Sequence, residues 1–124
     1  MKRALVFSVL FSSLSAITIN IPSDYTTIQE GINASYDGDT VLIAQGTYYE
    51  NLILENEIVL ASHAINDDLN SDWLNNVNIQ ETIISGAQEP VDPNKGSCLV
   101  IRDGNIAPTI LGLTFQDGIG TAMV

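Results

Sequence analysis

The chain is rich in carboxylates and poor in the groups that usually work beside them. It holds fifteen acids against four bases, with one histidine and one cysteine. Such a composition opens three kinds of chemistry. Two facing carboxylates can cleave a glycosidic bond, one as the acid and one as base or nucleophile. Clustered oxygen ligands can hold a hard cation such as calcium. An aromatic ring with a polar rim can seat a sugar. For the first, the candidates are Asp103 and Asp117, each followed by glycine, with Arg102 beside Asp103. Aspartate-glycine is equally a turn signal, and an exposed Arg–Asp pair contributes little. For the second, the candidates are Asp67, Asp68 and Asp72, in the amide-rich stretch "HAINDDLNSDWLNNVNIQE" at 63–81. Their spacing does not fit the D-x-[DN]-x-[DN]-G calcium loop. For the third, the candidate is Trp73; a lone tryptophan next to Leu74 also anchors loops by burying its ring. His63 has no partner histidine, and Cys98 sits in the apolar "SCLVI", where it reads as a buried, inert thiol.

Charge and the first residues bear on location. Met1-Lys2-Arg3, an apolar run to Phe11 and the small-residue stretch "SSLSA" form the pattern of an export leader at 1–16. Cleavage fits best after Ala16 and nearly as well after Ser15. The apolar run is too short to span a bilayer as a helix, so the expected location is extracytoplasmic, secreted or at the cell surface. Without the leader, two bases face fifteen acids, a net charge of −13. Such a surface repels phosphates, which disfavours nucleic acid and anionic lipid as partners.

The elements that would position these residues are short. "ITINI" alternates apolar and polar residues as a strand does, and Pro22 ends it. "TTIQEGINAS" is the helix candidate: Thr26 with Gln29, and Thr27 with Glu30, both stand at capping-box spacing, and Ile28 and Ile32 share a face. Gly31 weakens this helix by about 1 kcal/mol relative to alanine. The "DGD" at 37–39 is expected to stop it. Six apolar runs follow: "VLIA", "NLIL", "IVLA", then "TIIS", "CLVI", "TILGLTF", with no second helical pattern between them. Taken as two groups of three, matching runs lie about 40 to 55 residues apart. Asn51 and Asn56 are expected to turn the chain in the left-handed region. A solenoid of stacked coils fits this pattern, and so does a small antiparallel sandwich.

A family resemblance covers residues 17–118. Ile21-Pro22, Thr27-Ile28-Gln29, Gly38-Asp39-Thr40-Val41 and Gly46-Thr47-Tyr48-Tyr49-Glu50 resemble the N-terminal cap and first coil of secreted pectin-lyase-like proteins. "TIISG" and "APTILGLTFQDG" resemble later coils of that group. The resemblance implies an all-β fold: a right-handed parallel β-helix (a solenoid) at 17–124, with an N-terminal cap helix and about two coils. It further implies an N-terminal fragment of a longer protein, open to self-association at its C-terminal coil. Glu50 then reads as an outward-facing part of the fold's signature. Enzymes of the group cleave polysaccharide on middle coils, so no catalytic set is expected here. The function expected is a scaffold or binding module for polysaccharide, with Trp73, Arg102, Asp103 and Asp117 as substrate contacts and Asp67, Asp68 and Asp72 as a calcium site. The alternative is the N-terminal part of a polysaccharide lyase or glycoside hydrolase.

Overall fold

A computed structural model describes residues 15–86 and 96–120. Residues 1–14, which make up most of the expected export leader at 1–16, residues 87–95 with Lys95, and residues 121–124 lie outside the described residues. The chain runs through β1 (Thr18–Ile21), α1 (Ile28–Ala34), β2 (Thr40–Ile43), β3 (Gly46–Tyr49), β4 (Leu52–Leu54) and β5 (Val59–Ser62). A 3-10 turn (His63–Asn66), α2 (Leu69–Asp72), a second 3-10 turn (Trp73–Asn75) and α3 (Val77–Glu81) then lead to β6 (Thr82–Ser85). The last strands are β7 (Leu99–Ile101), β8 (Thr109–Leu111) and β9 (Thr114–Gln116).

The strands form three sheets, in the orders β1-β2-β5-β8, β3-β6-β9 and β4-β7. Every strand pair is parallel. The chain visits the sheets in rotation, and each strand lies on its counterpart from the previous pass. The antiparallel sandwich is thereby ruled out. Apolar residues stack in register: Ile19 on Val41, Val41 on Leu60, Leu60 on Ile110; Leu52 on Leu99; Ile84 on Phe115. Strands this short could not pair stably alone, but stacking gives each a partner and a shared core.

The expected grouping of the runs needs correcting. "IVLA" does not close the first pass; its strand β5 opens the second, 19 residues after β2 in register. The third side of the first pass is β3, "GTYY", which carries no apolar alternation because its side chains are mostly exposed. "TILGLTF" is two strands, broken at Gly112, whose φ is 68°. Asn51 and Asn56 are not in the left-handed region either; among non-glycine described residues Asp117 is, with φ 58°. Both asparagines instead donate side-chain hydrogen bonds to neighbouring turns, Asn51 to the Ser97 carbonyl and Asn56 to that of Ser35.

The core is the inward side of these ladders. Ile19, Ile21, Val41, Ile43, Leu52, Leu54, Leu60 and Ile84 are all buried, and Ile28 and Ile32 of α1 lie against them. Each such side chain contributes about 1.5–3 kcal/mol through burial. Gly31 has a packing reason: a Cβ there would come within 2.7 Å of Ile21 Cδ1. The helix propensity it costs is offset by the closeness of α1 to β1. Of the two possible capping boxes, Thr27 with Glu30 forms. The helix ends at Ala34, ahead of "DGD", and the buried Ser35 hydroxyl donates to the Ile32 carbonyl at 2.6 Å.

The insertion after β5 is more helical than its sequence suggests. Three of the four short helical pieces start on a side-chain cap: Ser62 accepts from Ala64 N–H, Asp68 from Asn70 N–H and Asn76 from Ile79 N–H. Thr114 of β9 donates to the Ile79 carbonyl at 2.6 Å, which fastens α3 to the sheet. Burial falls off at the last pass. Ile101 is 45% and Phe115 40% exposed, although their register partners Leu54 and Ile84 are fully buried.

Candidate functional site

The cap helix and the third sheet together make a groove. Gln29 is the hinge of its construction. Its side-chain carbonyl accepts from Ile53 N–H at 2.8 Å and its amide donates to Ile53 C=O at 3.0 Å. Gln29 thus stands in for one residue of a missing strand beside β4, whose outer edge would otherwise be bare. The same amide donates to Asn33 Oδ1 one turn on, at 2.9 Å. A stripe of amide side chains is therefore laid along β4 by helical spacing.

Glu50 fixes the helix that carries this stripe. Its carboxylate accepts from Ile28 N–H at 2.9 Å and from Gln29 N–H at 3.0 Å. Thr27 accepts from Glu30 N–H at 3.2 Å. The first turn of α1 is thus satisfied by groups from two places in the chain, and a negative charge sits where the helix dipole favours one. The expectation that Glu50 merely faces outward is corrected: it clamps the cap to the β3–β4 corner. Nearby, Tyr48 donates its hydroxyl to the Ala44 carbonyl at 2.9 Å. Burial first, and then the charge of Glu50, push its pKa above the ordinary 10.0.

The groove encloses about 390 Å³ and is lined by Gln29, Asn33, Asn51, Ile53, Glu55 and Arg102. A second cleft of about 320 Å³ shares Asn33, Ile53 and Glu55 with it and extends to Asn56. Arg102 donates to Glu55 at 2.8 Å across the rim, each side chain 54% exposed. A pair so open to water contributes under about 1 kcal/mol, and it uses one of the five N–H donors of the guanidinium. The wall is otherwise carboxamide, the floor is the outward face of Ile53, and one carboxylate is present. Glycosidic cleavage needs two carboxylates across the scissile bond. This arrangement offers hydrogen bonds to hydroxyl groups and lacks an acid–base pair.

The other sequence candidates lie apart from it. Arg102 pairs with Glu55 and not with Asp103, whose carboxylate instead accepts from the backbone N–H and side chain of Asn105. Asp117 follows β9 in a different sheet from β7, so the two Asp-Gly corners belong to separate sides. Its carboxylate accepts from the Ser85 hydroxyl at 3.2 Å. Asp67 accepts from Asn76 and Asn78, which hold its carboxyl below the usual 3.8. Asp68 caps α2, and Asp72 accepts from Asn75. Among the described residues no three His, Cys, Asp or Glu side chains converge as a metal site would require. Trp73 is 58% exposed, with Leu74 beside it also exposed, so its ring does not anchor the loop. Cys98 is half-buried, its thiol 3.0 Å from the Gln116 carbonyl.

No family model, no curated protein and no solved structure matches this chain.

The groove residues that sequence reasoning missed are Gln29, Asn33 and Glu55. Gln29 was visible as part of "TIQ" and Asn33 as its neighbour four residues on. Glu55 carries no local signal, because its partner is 47 residues away.

Proposed function

We propose that this chain is the capped first part of a right-handed parallel β-helix of the pectin-lyase-like type, exported from the cytoplasm, and that it binds polysaccharide. The rotation of the chain through three parallel sheets supports the fold reading, together with the motifs at 21–50. The observation that carries the binding reading is the groove between α1 and β7: carboxamides, one arginine and no second carboxylate. Carboxamides both donate and accept, which suits the hydroxyl groups of a glycan. With a net charge of −11 over the whole chain, a neutral polysaccharide fits better than a polyuronate. The lyase or glycosidase alternative would need catalytic groups on coils beyond those described, because the one arginine of this groove is already engaged by Glu55.

Affinity electrophoresis or calorimetry of the full chain against neutral galactan and polygalacturonate tests this. Measurable binding is expected for the neutral glycan, weakened at least about tenfold by Asn33→Ala with Arg102→Ala, about 1.4 kcal/mol, while the melting temperature stays close to wild type. Failure of the wild type to bind either polymer, or equal binding by the double variant, would overturn the assignment.

A further inference from the structure

The fold begins at one residue. Ile17 N–H donates to Asp39 Oδ1 at 3.0 Å, and the Ile17 carbonyl accepts from Thr40 N–H at 2.9 Å. Ser15 and Ala16, just before it, are exposed and outside any strand. Asp39 is only 4% exposed. Its second oxygen accepts from Tyr36 N–H at 2.8 Å, and its backbone carbonyl from Val59 N–H at 2.9 Å. Buried carboxylates are usually paired with a cation. Among the described residues the one ion pair is Arg102–Glu55, so Asp39 is met by N–H dipoles alone. The cleft around it, about 190 Å³, is lined by Ser15, Ile17, Tyr36, Asp37 and Asp39. The titratable groups facing this point are therefore Tyr36, Asp37 and Asp39, none of them a base.

We propose that the leader is cut between Ala16 and Ile17 and that the α-ammonium group released there forms an ion pair with Asp39. The proposal rests on the export reading above. The chemistry is a hydrolysis by a leader peptidase of the exporting cell. Water adds across the peptide bond, Ala16 leaves as a carboxylate, and the Ile17 nitrogen takes up a proton. That nitrogen already lies at hydrogen-bonding distance from Asp39, so the neutral N–H contact becomes a charge-assisted one without moving the strand. Cleavage after Ser15, which fits the sequence nearly as well, would leave the Ile17 nitrogen an uncharged amide. The Asp39 contact therefore favours the site after Ala16, the one the sequence ranks first. The sign of the pH effect follows. A partner carboxylate raises the pKa of the amine above its ordinary range of about 7.7–8.0. The stabilisation is then complete below that range and is lost as pH rises through the raised value.

The test is to express the full chain with its own leader in an exporting bacterial host. The product's first residue is read by intact mass and N-terminal sequencing, and its α-amine acylation rate is measured against pH. Ile17 is expected first, with an amine that acylates several-fold more slowly at pH 7.5 than in Asp39→Asn. A second control adds one alanine between Ala16 and Ile17, so that the new terminus lies one residue away from Asp39 even where Asp39→Asn does not fold. A retained leader would overturn both this proposal and the export reading. A first residue other than Ile17 would overturn this proposal alone, and so would an Ile17 amine as reactive as that of the alanine-extended control.

Discussion

Glu50 decides how the cap is held. Its carboxylate serves two N–H groups of α1 from 21 and 22 residues away. Glu50→Ala leaves both unserved at the foot of a seven-residue helix and is expected to cost about 1–2 kcal/mol in a denaturant melt. Glu50→Gln keeps one acceptor and should cost less. The same Gln variant should lower the raised Tyr48 pKa without restoring 10.0, because burial is the larger cause; a spectrophotometric tyrosine titration reads this. Asp67 illustrates the opposite sign. Its lowered pKa means that its contribution to stability is present above the unfolded value of about 3.9 and is lost as pH falls through the folded one. Asn78→Ala removes one of the two amides responsible and should move the Asp67 carboxyl resonance toward an ordinary titration in NMR. Thr82 is fully buried and its hydroxyl has no hydrogen-bond partner among the described residues. Thr82→Val, nearly the same shape without the orphaned group, should be neutral or raise stability by about 1 kcal/mol in a thermal melt. None of these roles was legible locally. Thr82 looks like an ordinary strand residue, while Glu50 and Asp67 stand out as part of a fold signature and as a calcium candidate; their observed roles depend on partners that no local pattern names.

At the scale of elements, legibility follows burial. β1, β2, β4 and α1 were readable because alternate residues, or residues four apart, point into the core and leave a period in the sequence. β3 left none, since Gly46, Thr47 and Tyr49 are exposed; its place comes from pairing with β6, 36 residues on. The helical pieces of the insertion leave no period in the sequence because each is only three to five residues long, and three of the four start on a side-chain cap rather than on an apolar face. The register between passes was misjudged for a related reason: the insertion and the loop before Gly96 stretch one pass and not the other. Gln29 offers a sharp test of how α1 guards β4. Gln29→Ala should cost about 1–2 kcal/mol by exposing both Ile53 backbone groups. Gln29→Glu can still accept from Ile53 N–H but sets a carboxylate against the Ile53 carbonyl, so it should be the more destabilising of the two by chemical denaturation.

Across the whole molecule, order is graded from one end to the other. Ile19, Val41, Leu52 and Leu54, on the strands that α1 packs against, are buried, while Ile101 and Phe115 on the outermost strands β7 and β9 stay half-exposed. Amide hydrogen exchange should therefore be slowest in β2, β5 and β6, paired on both edges, and fastest in β7 and β9; uniform protection across all nine strands would contradict this. The two ends of the stack also differ in kind. At the first end β1 pairs β2 and the Gln29 side chain covers β4, so β1 and β3 are the outermost strands there, each four residues long. An added strand would thus find only four-residue edges at this end, and the cap helix acts as a shield against edge-to-edge aggregation.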